Sequence, residues 1–314
     1  MNYTKLKKSN LEISAIGLGT NAVGGHNLFQ NLNEQDGKDL VREALNLGVT
    51  FIDTADIYGL GRSEELVGEA LKEFKRDDFV IATKGAQNFT NLDDVKTDNR
   101  PEYLREAVEK SLQRLQLDYV DLYYLHFPDN KTPFSESIGE LARLKEEGKI
   151  RSIGVSNLSI EQLKEANAHG DISVLQSPYN MLDRSAEEAL LPYTRENNIS
   201  FIPYGPLAFG LLGGGFTKET KLDAGDWRQS VPLFQGEQYI QTLDKVDELN
   251  KFAVRKDTNL PNLALAWLLA QEGVDAVIPG GKRKERIREN VKASDIRLSK
   301  EELQAIDEIL NKNE

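Results

Sequence analysis

Residues 119–126 read YVDLYYLH and residues 150–156 read IRSIGVS. Both runs are short, apolar and rich in Val, Ile, Leu and Tyr, the composition of strands that helices cover on the outer face of a parallel sheet. The stretch between them is longer and amphipathic. Together they spell a strand, a crossover helix and a second parallel strand.

The same alternation continues outward in both directions. Further strand candidates are Ala15–Leu18, Thr50–Asp53, Phe79–Lys84, Ser173–Ser177, Ile199–Tyr204 and Asp275–Pro279, each followed by a helical pattern. Ser159 with Gln162, Ser185 with Glu188 and Ser299 with Glu302 have capping-box spacing, and Pro101 suits a first helical turn. About eight such units in 314 residues predict an α/β fold, a closed (β/α)8 TIM barrel with long active-site loops. An open doubly wound sheet has fewer strands or needs a second domain, and no interdomain linker interrupts residues 1–314, which read as one barrel domain. Only Phe209–Gln235 breaks the rhythm, with several glycines, Trp227 and Pro232, and it reads as a long loop or lid over one barrel face.

Composition removes whole classes of function. With 39 basic and 51 acidic residues the net charge is -12, so neither nucleic acid nor an anionic membrane is the expected partner. There is no cysteine, which excludes disulfides, thiolate metal sites and cysteine nucleophiles. The three histidines, His26, His126 and His169, are scattered and form no metal motif, so no metal is expected. The longest apolar run, Leu263 to Ala270, is too short to span a bilayer, and the chain reads as soluble and cytoplasmic.

In a barrel of this kind the active site lies at the C-terminal ends of the strands. Polar residues close several of the apolar runs: Asp53, Lys84, His126, Ser156 with Asn157, Gln176 and Tyr204. Tyr58 follows Asp53 closely enough to reach the same rim. A tyrosine is a proton donor at neutral pH, and a nearby ammonium is expected to pull its pKa below the ordinary ~10. Asp53 would hold Lys84, and His126 would orient a substrate carbonyl toward Tyr58, which fits reduction of a carbonyl to an alcohol. Such a reduction needs a hydride, and nicotinamide cofactors are its usual source. The glycines of GLGTNAVGG at 17–25 and those at 213–215 do not have Rossmann spacing. KRKERIR at 282–288 is the better anion site: it follows the eighth strand candidate and opens a helix. A cofactor carrying a 2′-phosphate fits there.

These segments resemble the aldo-keto reductase family. The resemblance runs through DTADIYGLGRSEELVG at 53–68, Lys84, LHFPD at 125–129, IRSIGVSN at 150–157, QSPYN at 176–180, PYGPLAFGLLGGG at 203–215 and IPGGKRKERIRENV at 278–291. Through GLGTNAVGGHN at 17–27 the chain is most similar to the bacterial branch that includes an inositol-operon-associated reductase. The resemblance implies a catalytic tetrad of Asp53, Tyr58, Lys84 and His126, with Tyr58 as general acid in reduction and general base in oxidation. It implies that Ser156, Asn157 and Gln176 hold the nicotinamide carboxamide and that Tyr204 stacks on its ring. Gly205, Leu207 and Gly210 would line the pyrophosphate, Lys282 and Arg286 the 2′-phosphate, and Glu289 and Asn290 the adenine. Thr20, Asn21, Pro206, Leu211 and Gly280 complete the implied NADP(H) site. Gly280 and Gly281 stand where many animal members carry lysine and serine, which moves the phosphate contacts toward Lys282 and Arg283.

The leading expectation is an NADPH-dependent oxidoreductase that reduces a small aldehyde or ketone reversibly. Two rivals remain: a barrel aldolase using Lys84 as Schiff-base nucleophile, and a cofactor-binding sensor with little turnover. The expected partner is a small carbonyl or alcohol compound, and no pattern in the chain specifies an oligomeric state.

Overall fold

The computed structural model describes residues 1–91, 93–223 and 225–311. An antiparallel hairpin, β1 (Tyr3–Lys5) and β2 (Glu12–Ser14), precedes the parallel strands β3 (Leu18–Gly19), β4 (Phe51–Asp53) and β5 (Val80–Gly85). A second hairpin, β6 (Gln87–Phe89) and β7 (Val95–Thr97), follows. The parallel set resumes with β8 (Val120–Leu125), β9 (Ile150–Ser156), β10 (Ile172–Pro178) and β11 (Ser200–Tyr204), giving a seven-stranded sheet in the order β11-β10-β9-β8-β5-β4-β3.

Residues 274–280 close this sheet into a barrel. Val274 bridges Phe201 on β11, while Val277 and Gly280 bridge Ile16 and Gly19 at the opposite edge. The backbone bonds are short, at 2.7 Å from the Gly17 amide to Val277 O and 3.0 Å from the Asp275 amide to Phe201 O. This eighth stave falls on the expected Asp275–Pro279 run. Closure leaves neither sheet edge open for pairing with another chain.

Side chains alternate across each strand, so every second residue points into the barrel. Phe51, Ala82, Leu122, Tyr124, Val174, Ile202, Ala276 and Ile278 form the interior cluster, joined by Leu6, Leu11 and Ile13 of the first hairpin, which plugs the N-terminal end. Moving two residues on from this layer gives Asp53, Lys84, His126, Gln176 and Tyr204. The polar site is therefore the top layer of the barrel interior. The opposite faces, including Ile52, Ile81, Ile153, Leu175 and Phe201, pack beneath the helices. Complete burial of each such side chain stabilises the fold by roughly 1.5–3 kcal/mol.

The helices are α1 (Glu34–Asn46), α2 (Arg62–Leu71), α3 (Pro101–Leu115), α4 (Phe134–Glu146), α5 (Ile160–Ala166), α6 (Leu190–Glu196), α7 (Gly236–Arg255), α8 (Leu260–Ala270), α9 (Lys284–Asn290) and α10 (Lys300–Leu310). Pro101 opens α3, and the capping boxes at Ser159 and Ser299 both form. The box expected at Ser185 does not. Its hydroxyl donates instead to Asp183 Oδ1 at 2.7 Å, residues Ser185–Glu187 form a short 3-10 turn, and α6 starts only at Leu190.

The 209–235 segment is a loop of 3-10 turns held by its own contacts. The Arg228 guanidinium donates to Asp226 and to Phe209 O and sits over the rings of Phe216 and Phe234, while Trp227 packs edge-on against Phe209 at 5.0 Å. Among the described residues no helix is long and apolar enough to cross a membrane. The longest apolar run lies in α8, whose Leu263, Leu265, Trp267 and Leu268 are buried in the core.

Candidate active site

Asp53 ends β4, Lys84 lies one residue before the end of β5, and His126 directly follows β8, so three neighbouring strands carry them to one rim. The Lys84 ammonium donates to Asp53 Oδ1 at 2.5 Å and to the Thr54 carbonyl at 2.7 Å. Both side chains of this pair are almost fully enclosed, at 1% and 2% exposure. Gln176, from β10, donates to the other Asp53 oxygen at 2.9 Å. Tyr58 lies on the turn between β4 and α2, its ring centroid 5.3 Å from Lys84 Nζ and 6.3 Å from the His126 ring, at an interplanar angle of 82°. The three residues read from strand ends and Tyr58 from the following turn therefore meet.

Electrostatics sets the protonation of each group. Burial raises the Tyr58 phenol above its ordinary value, and the downward pull of Lys84 only partly offsets this. The expected net lowering by the ammonium is thus not met, because removing a phenolate from water costs more than the cation returns. Burial alone would lower Lys84, but Asp53 and Tyr58 outweigh it and hold the ammonium charged. Burial, with Lys84 adding to it, lowers His126 well below the usual histidine range, so its imidazole is neutral at physiological pH. Its Nδ1 is buried without a partner among the described residues.

The expected nicotinamide contacts form one strip along the strand ends. Asn157 occupies the left-handed region at φ 59°, which asparagine tolerates better than most residues. Its Nδ2 donates to His126 O and Ser156 Oγ, both at 3.0 Å, and its Oδ1 accepts from the Tyr204 hydroxyl at 2.8 Å. Tyr204 is pushed up to about 12 by burial, with Tyr58 and Asp183 adding to the shift. Gly205 at φ 63° and Gly210 at φ 107° need conformations that L side chains rarely adopt, and Asn180 holds the Gly205 carbonyl at 3.1 Å. Pro206 and Leu211 are buried, and Leu207 packs against the core cluster.

Thr20 is enclosed, its hydroxyl donating to Asp53 O at 2.9 Å. Gly19 and Gly280 bridge backbone to backbone, and a Cβ on Gly280 would lie 2.9 Å from the side-chain Oδ1 of Asn21 and 3.4 Å from Gly19 O. Lys282 lies 5.2 Å from the Phe29 ring centroid. Arg283 turns toward Asp36 at 3.7 Å, Glu289 pairs with Lys292 at 2.7 Å, and Arg286 is exposed with no ion pair among the described residues. Asn290 is 1% exposed, yet neither polar atom of its amide has a protein partner among the described residues.

Two residues near the site had not been singled out from the sequence. Asn27 hydrogen-bonds the backbone on both sides of Tyr58. Asp56 is buried beside Gly85, its carboxyl raised well above the ordinary range by burial and by Glu64, against the pull of Arg114. Both lie in segments quoted above, Asn27 as the last residue of GLGTNAVGGHN and Asp56 within DTADIYGLGRSEELVG. Among the described residues no cluster of three or more His, Asp or Glu side chains could hold a metal ion.

The family model described as the Aldo/keto reductase family matches residues 15–311. Aldo-keto reductase YhdN of Bacillus subtilis (strain 168) is 41% identical over 285 residues, covering 90% of this chain and 86% of that protein. An NADH-specific methylglyoxal reductase of Escherichia coli (strain K12) is 36% identical, covering 95% of both chains. The structure of the glycerol dehydrogenase AKR11B4 from Gluconobacter oxydans superposes with a TM-score of 0.92 at 34% identity, covering 98% of this chain and 94% of that one. With a closed barrel, a tyrosine, lysine, aspartate and histidine gathered at its mouth, and a family match over nearly its whole length, this chain belongs to the aldo/keto reductase family of oxidoreductases.

Proposed function

We propose that the protein reduces a small aldehyde or ketone to the alcohol, reversibly, using NADP(H), with Tyr58 as the proton donor. One observation carries this reading: the Tyr58 phenol lies beside a carboxylate-held lysine and the His126 imidazole at the open end of the barrel. Because burial raises the phenol, it keeps its proton at neutral pH and can give it to a carbonyl oxygen that gains negative charge. The Lys84 ammonium stabilises the phenolate left behind, and Asp53 and Thr54 fix that ammonium in place. Neutral His126 retains a ring N–H to donate to the same carbonyl oxygen, which orients the substrate. In oxidation the phenolate takes the alcohol proton back.

The residues present fit a dinucleotide. Asn290 carries a buried amide with both polar atoms free among the described residues, an arrangement that costs about 1–3 kcal/mol unless a ligand satisfies it. Ser156, Asn157, Gln176 and Tyr204 would hold the nicotinamide end; Gly205, Pro206, Leu207, Gly210 and Leu211 the pyrophosphate; and Asn290 with Glu289 the adenine. Bound NADPH supplies the hydride. Lys282 and Arg286 are the cations for the 2′-phosphate, since Arg283 already faces Asp36. The Escherichia coli relative is named for NADH specificity, so pairing this chain with NADPH rests on those two cations.

The aldolase reading loses ground because a Schiff-base lysine must be an uncharged amine, whereas Asp53 and Tyr58 hold Lys84 as the ammonium. The test is loss of NADPH absorbance with a panel of aldehydes and ketones. Tyr58→Phe should lower turnover about 10²–10⁴-fold while cofactor affinity persists, and wild-type turnover in that variant refutes the proton-donor role.

A further inference from the structure

Asn27 lies in the loop between β3 and α1, half-buried against the turn that carries Tyr58. Its Nδ2 donates to the Ile57 carbonyl at 3.0 Å, and its Oδ1 accepts from the Gly59 amide at 2.7 Å. These two groups belong to the peptide units on either side of Tyr58, whose planes set that residue's φ and ψ. One amide side chain therefore grips both units that aim the phenol. The loop is pinned against the turn at Gly59, where a Cβ would lie 2.0 Å from Gly24 O, and is tight within itself at Gly25, where a Cβ would lie 1.9 Å from Asn21 O. Such contact between backbones leaves Asn27 little room to swing away.

We infer that Asn27 is a positioning residue that holds Tyr58 in its productive direction through this two-bond clamp. The inference rests on Tyr58 being the proton donor. The turn's own bonds near Tyr58, from its amide to Ala55 O at 3.2 Å and from the Ser63 amide to its carbonyl at 3.1 Å, are longer than the Gly59–Asn27 bond. Misplacement of a reacting group by about 1 Å can slow a reaction about 10²-fold, so a loosened turn acts on the rate of the chemical step before it acts on binding.

The test compares Asn27→Ala and Asn27→Leu with Asn33→Ala. Asn33 caps α1 by accepting from the Gln35 and Asp36 amides, so its loss lowers Tm without touching the Tyr58 turn. Single-turnover reduction of an accepted aldehyde, aldehyde KM, NADPH Kd by fluorescence quenching, and Tm are measured for each protein. Both Asn27 variants should slow the chemical step about 10–100-fold with KM and Kd nearly unchanged, while Asn33→Ala keeps the wild-type rate. Asn27→Leu fills the space without the hydrogen bonds, so a wild-type rate there overturns the inference. A loss of rate in Asn27→Ala no greater than that of Asn33→Ala overturns it as well. Tyr58→Phe run in parallel separates the two claims: if it turns over normally, the proton-donor reading fails and takes this one with it. If it is inactive while Asn27→Ala is fully active, only the clamp fails.

Discussion

Replacing Asp53 by Asn leaves the Lys84 ammonium enclosed, with the Thr54 carbonyl and the Tyr58 hydroxyl as its remaining partners and no countercharge at hydrogen-bond distance. The Gln176 amide, which now donates to Asp53 Oδ2, can still find an oxygen on Asn, but this turns the Asn NH2 toward the ammonium. Breaking a buried pair from one side costs about 3–5 kcal/mol. With an unfolding entropy of about 2.1 cal/mol/K per residue, a chain of this length loses about 5–8 °C in Tm. Lys84→Met alone strands the carboxylate instead. The double variant strands neither charge and should lose less than the two single losses added together, by a coupling of about 2–3 kcal/mol in a double-mutant cycle.

The assay is thermal and urea unfolding of the four proteins at neutral and alkaline pH. In the wild type the folded pKa of Lys84 is raised: burial alone would lower it, and Asp53 and Tyr58 outweigh burial. Its contribution is therefore fully present below the unfolded value of about 10.5 and is lost as pH rises through the folded value. The stability gap between wild type and Asp53→Asn should narrow across that alkaline window. A double variant as unstable as the two single losses added together would refute the reasoning.

Further outcomes follow from other parts of the fold. Burial and Glu64 raise the Asp56 carboxyl in the folded protein, so its contribution is present below the unfolded value of about 3.8 and is lost as pH rises through the raised folded value. Asp56→Asn, neutral at all pH, should gain in Tm relative to wild type as pH rises above the unfolded value of about 3.8, and a flat difference counts against the assigned burial. Lys282→Ala with Arg286→Ala should raise the NADPH KM at least about 10-fold, leave the NADH KM nearly unchanged and weaken the salt dependence of NADPH binding; equal losses with both cofactors would remove these cations from the 2′-phosphate. Gly19→Ala would place a Cβ 2.8 Å from Ile278 O, across the bridge that closes the barrel, and should cost about 1–3 kcal/mol in urea unfolding; wild-type stability would mean that this closure is not tight.

The positions of the strands and of the polar residues at their ends were legible because both are local properties. Phe51-Ile52-Asp53 shows why: an inward residue, an outward one, and an inward polar one at the rim. A two-residue period cannot place Asp53 at the mouth without also placing Phe51 in the barrel. Capping at Ser159 and Ser299 was equally local, whereas Ser185 failed because Asp183, two residues away, competes for its hydroxyl. The first hairpin escaped the reading, since its strands are three residues each and it becomes a plug only against the interior of a closed barrel.

The chain by itself determined the eight staves, the chemistry available at their ends, and the family to which the ordered segments belong. Tertiary structure decided the rest. Asp53 meets Lys84 across 31 residues and Gln176 across 123, and nothing in either local sequence encodes which carboxylate oxygen each will take. The protonation state of Tyr58 belongs to the same category. It is the balance between burial, reinforced by Asp53 and Asp56, and the opposing Lys84 ammonium, and that balance exists only after the strands have closed.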